Sequence, residues 1–362
     1  MARKLFLAPM EGITGYIFRN AYNKYFGGID GYVTPFISPT HSKILNHREL
    51  QDILPENNRG LCVVPQILAN DADLFVETAR RLKEYGYNEI NLNLGCPSGT
   101  VVSKKKGSGL LADLDMLDDF LCRIFEEVNV KMGIDISIKT RIGKEDADEF
   151  RSILIIYNQY PIRLLTIHPR IQREFYKGSC HLDVFEMAVR ESNSEICYNG
   201  DINSLEDLEN INLRNPGVDN YMIGRGILRN PFLAEEIKQK TCDSKDSGKL
   251  RSFDAEDMKQ DTADSKDSGK LRSLDAEDMK QNITDSKDLG KLRSFHDELY
   301  AGYKEVLSGD KTILFKMKEL WSFLGPIFTN HEKYVKKIKK CEKLYKYDEA
   351  VEKLFQEQEL VS

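Results

Sequence analysis

Short apolar, β-branched runs recur along the first 230 residues, and most are followed by a segment with helical spacing. The runs are KLFLAPM (4–10), GYVTPF (31–36), LCVVPQIL (61–68), EINLNLGC (89–96), DISIKTRIG (135–143), RLLTIHP (163–169), EICYNGD (195–201) and NYMIGRG (220–226). Between them, DADLFVETARRLKEYG (71–86), DLDMLDDFLCRIFEEV (113–128) and SLEDLENI (204–211) space apolar residues three and four apart, as one face of a helix requires. Ser204 followed by Asp207 predicts a capping box. Strand and helix in alternation predict a parallel sheet, and eight such units in about 235 residues fit an α/β fold, a closed (β/α)₈ or TIM barrel. The alternative is a doubly wound sheet, which usually carries GxGxxG after its first strand. Here the first strand ends in Ala8-Pro9-Met10, which favours the barrel.

The pattern changes after residue 240. DSKDSGKLRSFDAEDMKQDTA (243–263) repeats as DSKDSGKLRSLDAEDMKQNIT (264–284) and begins again as DSKDLGKLRSF (285–295). Each copy offers few sizeable apolar residues among many charges, too little to offset the entropy of ordering it. Residues 241–296 therefore read as a polar insertion, mobile or weakly helical, without chemistry of its own. Beyond it, Leu, Tyr, Phe and Trp recur at helical spacing, so 297–362 reads as a small helical bundle. Within it, Lys333 to Lys346 holds seven lysines against the single acid Glu342. On its own such a run is a solvated helix face; beside an active site it becomes a phosphate-binding stripe.

Composition narrows the classes. The chain has 362 residues, 41% of them hydrophobic, and a net charge of −6, so contact with nucleic acid needs a local basic patch. Its seven cysteines contain no CxxC pair and are odd in number, which argues against zinc or any metal site and against a disulfide framework. A reducing, cytoplasmic setting follows. The apolar run before Glu11 is too short for a signal-peptide core, and no run approaches a membrane span.

In a barrel of this kind the chemistry sits at the C-terminal ends of the strands. Those ends read Pro9-Met10-Glu11, Gln66, Asn93 to Cys96, Lys139 with Arg141, His168 with Arg170, Asn199-Gly200-Asp201 and Gly224-Arg225-Gly226. The last two suit an anion: their glycines let backbone N–H groups approach, and Arg225 can add a bidentate contact. An inward Lys139 is costly unless it meets an anion, and a flavin that becomes negative when reduced supplies one. Cys62, Cys122, Cys180, Cys197 and Cys341 read as small buried hydrophobes. Cys96, between Gly95 and Pro97 at a strand tip, differs. Its thiol can donate a proton, and the adjoining Lys104, Lys105 and Lys106 can lower its pKa or touch a polyanion.

Ala8-Pro9-Met10, Asn93-Leu94-Gly95-Cys96-Pro97-Ser98, Lys106-Gly107-Ser108-Gly109, Lys139 with Arg141, His168 with Arg170, Asn199-Gly200-Asp201 and Gly224-Arg225-Gly226 together resemble the bacterial tRNA-dihydrouridine synthases. The resemblance runs from residue 5 to about 235 and resumes more weakly in the C-terminal helices. It implies an FMN-bound TIM barrel with a helical domain that grips tRNA, acting as a monomer. NADPH reduces the flavin, hydride passes to C6 of a specific uridine, and the cysteine protonates C5. By resemblance Cys96 is that donor. Pro9, Met10, Glu11, Gln66, Lys139, His168, Asn199, Gly200, Asp201, Gly224 and Arg225 match flavin-contacting positions, and Asn93 and Arg170 match positions near the flipped uracil. Lys104 to Lys106 and Lys336, Lys337, Lys339 and Lys340 are the expected phosphate contacts. Pro169 stands where many members have glycine, and the 241–296 insertion is foreign to the family pattern. Two other readings stay open: an FMN barrel acting on a small molecule, like dihydroorotate dehydrogenase, and an RNA-binding protein without chemistry. The first leaves the basic helices unexplained, the second the Cys96, Lys139 and His168 set.

Overall fold

The computed structural model describes residues 3–240 and 287–361. Nine parallel strand segments form one sheet: β1 (Lys4–Leu7), β2 (Gly31–Val33), β3 (Val63–Val64), β4 (Gln66–Ile67), β5 (Glu89–Leu94), β6 (Asp135–Arg141), β7 (Leu165–His168), β8 (Ile196–Tyr198) and β9 (Asn220–Ile223). Their order is β3-β2-β1-β9-β8-β7-β6-β5-β4. β3 and β4 are one strand split at Pro65, which has no N–H to donate; its carbonyl still accepts from Asn91 N at 2.8 Å. Val63–Val64 pairs with β2 and Gln66–Ile67 with β5, so the ring closes as eight strands. The barrel is confirmed over the doubly wound sheet.

Alternation sets the interior. In β5, Ile90, Leu92 and Leu94 are wholly buried on the helix side while Asn91 and Asn93 point inward. β6 repeats this with Ile136 and Ile138 against Ser137 and Lys139, and register places Asn91 beside Ser137 and Asn93 beside Lys139. One inward row thus carries amides, a hydroxyl and a lysine. The outer helices start where their sequence says. Asp71 and Asp113 cap the helices Ala72–Glu84 and Leu114–Ile124, and Ser204 forms the predicted reciprocal box with Asp207, each cap contributing about 1 kcal/mol.

Among the described residues beyond 286 stand the α-helices α2 (Leu289–Val306), α3 (Asp310–Leu324), α4 (Glu332–Lys340) and α5 (Leu344–Glu357), and α2 rests on the barrel helix α1 (Tyr16–Tyr25). The expected boundary at residue 296 falls inside α2. Asp288 caps this helix by accepting from Gly290 N and Lys291 N, and Leu292 and Phe295 are wholly buried. Phe295 meets Phe18 edge-on at 5.7 Å and Phe26 at 5.1 Å, tying the helical domain to the barrel. The third repeat copy folds this way because Leu299 and Tyr300 extend its apolar spacing into a full helix face. The first two copies and Cys242 lie outside the described residues. At the bundle centre, buried Trp321 and His296 both bond the Tyr347 hydroxyl, at 2.8 and 2.6 Å. Among the described residues, no helix is long and apolar enough to cross a membrane, and no group of three His, Cys, Asp or Glu residues could hold a metal ion.

Candidate active site

A cavity of about 310 Å³ opens at the C-terminal ends of the strands, within the size of small-ligand sites. Pro9, Met10 and Glu11 line it after β1, Gln66 from β4, Asn93 and Cys96 from β5, Lys139 from β6 and His168 from β7. Asn199 and Gly200 after β8 and Gly224 and Arg225 after β9 also line it; Arg170 and Asp201 of the expected set do not.

Cys96 is held by its backbone. Asn93 Oδ1 accepts from Gly95 N at 3.1 Å and from Cys96 N at 2.9 Å. The Cys96 carbonyl accepts from Ser108 Oγ at 2.9 Å and Ser108 N at 3.2 Å. Gly107 allows this approach: its φ is +57°, and an added Cβ would stand 2.8 Å from the Cys96 oxygen. Burial pushes the Cys96 thiol above its ordinary pKa, outweighing the lowering by the Ser98 N–H, Arg141 and Lys139. The group therefore stays a protonated thiol at neutral pH. This corrects the expectation that the Lys104–Lys106 loop lowers its pKa; the cations that act on it are Arg141 and Lys139. The loop lysines lie outside the cavity wall, and Lys105 pairs with Asp113 at 3.1 Å.

Asn93 is the end of a buried amide chain. Its Nδ2 donates to Gln66 Oε1, Gln66 Nε2 donates to Asn91 Oδ1, both at 2.7 Å, and Asn91 Nδ2 donates to Ser137 Oγ at 3.0 Å. The Gly95 and Cys96 N–H groups can only donate, so they fix Asn93, and through it every amide in the chain. Gln66 and Asn93 are thereby left to offer N–H groups to the cavity.

Lys139 makes no ion pair or side-chain hydrogen bond with a described residue, and its head opens on the cavity. Burial, then repulsion from Arg141, lowers its pKa to about 8, leaving it mostly charged at neutral pH. His168 is pushed well below its usual pKa by burial and by the surrounding Arg141, Lys139, Arg170 and Arg225. It is neutral, and because Arg170 Nη1 can only donate to its Nε2 (3.2 Å), its proton sits on Nδ1.

Arg170 and Asp201 are placed differently from expectation. Arg170 is fully buried, and its five donors all have partners in Lys177 O, Gly178 O, His168 Nε2 and both Asp201 oxygens. No donor remains for a uracil. Asp201 bridges Arg170 and Arg225, each at 2.5 Å, and does not line the cavity. Arg141 does face the cavity, as Arg225 does. It donates to Gly95 O (3.0 Å), Ile171 O (2.9 Å) and Phe175 O (2.5 Å), leaving two donors over. Phe175, at φ +52°, sits in the left-handed region, a strained setting for a bulky residue. This turns Tyr176 back over the Arg225 guanidinium (4.7 Å) and the His168 ring (6.0 Å). Tyr176 stands in a loop without periodicity and was not singled out from sequence; neither were Glu319 and Phe323 of α3, which also line the cavity.

Lys336, Lys337, Lys339 and Lys340 are exposed on α4, whose Tyr334 and Ile338 are buried, and three of them border a groove with His331. Of the other described cysteines, Cys197 and Cys341 are buried as expected and Cys180 is half-buried. Cys62 and Cys122 are exposed, because one precedes β3 at the rim and the other lies on the outer side of its helix.

The enclosed, unpaired Lys139 calls for an electron-rich partner, and Arg225 at the rim suits a phosphate. The wall at Gly224 is bare, since an added Cβ would crowd Ala8 Cβ at 3.3 Å and Met10 Sδ at 3.4 Å. These features fit a flavin mononucleotide, and a parallel barrel with such a mouth defines a flavin-dependent oxidoreductase. The family model for dihydrouridine synthase (Dus) matches residues 6–274, and the chain belongs to that family. A probable tRNA-dihydrouridine synthase of Staphylococcus aureus (strain MRSA252) is 32% identical over 65% of this chain and 72% of its own. The tRNA-dihydrouridine(16) synthase of Neisseria meningitidis serogroup B is 30% identical over 65% of this chain and 71% of its own. Among solved structures, the old yellow enzyme of Trypanosoma cruzi matches 66% of this chain and 88% of its own, at 8% identity and a TM-score of 0.46.

Proposed function

We propose that the chain reduces the C5–C6 double bond of a uridine in tRNA to dihydrouridine, in the cytoplasm, with Cys96 as the proton donor. The observation that carries this is a thiol kept protonated by burial, its backbone pinned by Asn93 and Ser108, in one cavity with Lys139, His168 and Arg225. FMN, when bound and reduced at the expense of NADPH, supplies the hydride for C6. The chain supplies the rest. Lys139 holds positive charge against the ring, His168 offers Nδ1–H, Gln66 and Asn93 offer amide N–H groups, and Arg225 with Asn199, Gly200 and Gly224 holds the phosphate. Cys96 gives its proton to C5, on the base lifted into the cavity. The thiolate left behind is stabilised by Arg141, Lys139 and the Ser98 N–H until water returns a proton. Arg141, with two free donors, takes the uracil-side role that Arg170 lacks donors for. The α4 lysines contact tRNA phosphates.

The test is nucleoside analysis of unmodified tRNA after incubation with the purified protein, FMN and NADPH. Dihydrouridine accumulating at a defined position supports the reading. Turnover of dihydroorotate, with tRNA left unmodified, would overturn it in favour of a small-molecule enzyme.

A further inference from the structure

α3 is the part of the helical domain that reaches the barrel mouth. Its Glu319 and Phe323 line the cavity, and its Lys316 Nζ donates to Gly12 O at 2.5 Å. One turn before Glu319, along the same side of the helix, stands Phe315. It is 65% exposed, the most exposed aromatic residue among those described. Lys311, Thr312 and Lys318 surround it in a shallow groove. Lys318, with Lys337 and Lys346, lies within electrostatic reach of Cys341. None of these four lysines forms an ion pair with a described residue.

A single exposed apolar residue is ordinary. This one differs in its neighbours and its position. Two turns of helix, about 12 Å, separate it from Phe323 at the cavity, and its flanks carry free positive charge. A uridine lifted into the cavity leaves an adjacent base without its stacking partner. An aromatic ring between cations offers what such a base lacks, a π-face with charge for the backbone on either side.

The geometry points to a base-stacking subsite, a reading that rests on the tRNA substrate proposed above: Phe315 stacks an unpaired base next to the target uridine, and Lys311 and Lys318 meet the flanking phosphates. The experiment uses full-length holoenzyme carrying Phe315→Ala, Phe315→Leu or Phe315→Trp. It reads tRNA affinity, kcat and KM for dihydrouridine formation, and NADPH-driven flavin reduction without tRNA. Stacking of one base corresponds to a loss of about 5- to 150-fold. Ala and Leu should therefore raise Kd and KM within that range, with kcat nearly unchanged and flavin reduction untouched. Trp should restore binding. Equal affinity in Phe315→Ala overturns the inference, as does Leu serving as well as Trp. A loss that instead tracks a change in oligomeric state by light scattering also overturns it, assigning the face to a second copy of the chain. If wild type modifies tRNA and Phe315→Ala is unaffected, only this inference falls. If wild type neither binds nor modifies tRNA, the parent reading falls with it.

Discussion

The barrel mouth and the outer face of the helical domain use positive charge in opposite ways. In the mouth, Arg170 is fully hydrogen-bonded, Arg141 is tied to three carbonyls and Lys139 is enclosed with no counter-ion among the described residues. On α3 and α4, Lys311, Lys336, Lys337, Lys339 and Lys340 stand exposed, without an ion pair to a described residue. Enclosed charge shifts pKa values and so tunes chemistry. Open charge attracts a polyanion, in proportion to how many counterions it releases.

The contrast can be broken from either side. The larger effect is expected on the open face. Replacing Lys336, Lys337, Lys339 and Lys340 with alanine should weaken tRNA binding by roughly 10- to 100-fold near physiological salt and flatten the slope of log K against log salt by about 3. FMN binding should not change. An unaltered slope would make the stripe a solvated face and no more.

The smaller effect belongs to the enclosed charge. Lys139 is charged below about 8 and loses its proton above it. FMN affinity of the flavin-free protein should thus fall with rising pH, by at most about tenfold per unit beyond that point. Lys139→Met should bind FMN more weakly and remove the dependence. The sign for folding is the reverse. Because the folded pKa lies below the ordinary lysine value of 10.5, the charged lysine costs stability below about 8, and that cost is relieved as pH rises between the two values. Thermal unfolding of the flavin-free protein across this window reads the second sign, and fluorescence titration with FMN reads the first.

The same contrast explains what the sequence disclosed. All eight strands are legible as apolar runs, and all but GYVTPF (31–36) end in the polar residues named above. The mouth residues followed from those endings, Cys96 and Lys139 above all. Arg170 and Asp201 pair with each other and do not line the cavity, because a strand-end position does not record which direction a side chain takes once Lys177, Gly178 and Arg225 arrive as partners. Tyr176 was missed because its placement depends on the left-handed backbone at Phe175, which no residue type there announces. Glu319 and Phe323 sit at ordinary helical spacing; which face of α3 meets the barrel is decided by packing, through Lys316 on Gly12 and Phe295 on Phe18. The third repeat copy starts a helix with the apolar residues that follow it, a continuation that its own composition does not announce.

The proton donor is the claim on which the proposed chemistry turns, and Cys96→Ala addresses it most directly. The variant should retain FMN, accept electrons from NADPH and bind tRNA as wild type does, because Asn93 and Ser108 bond the residue 96 backbone and not its side chain. Dihydrouridine formation, followed by nucleoside analysis under single turnover, should fall by about 100- to 10,000-fold, the usual contribution of a positioned acid. A variant that forms dihydrouridine at the wild-type rate would contradict the account.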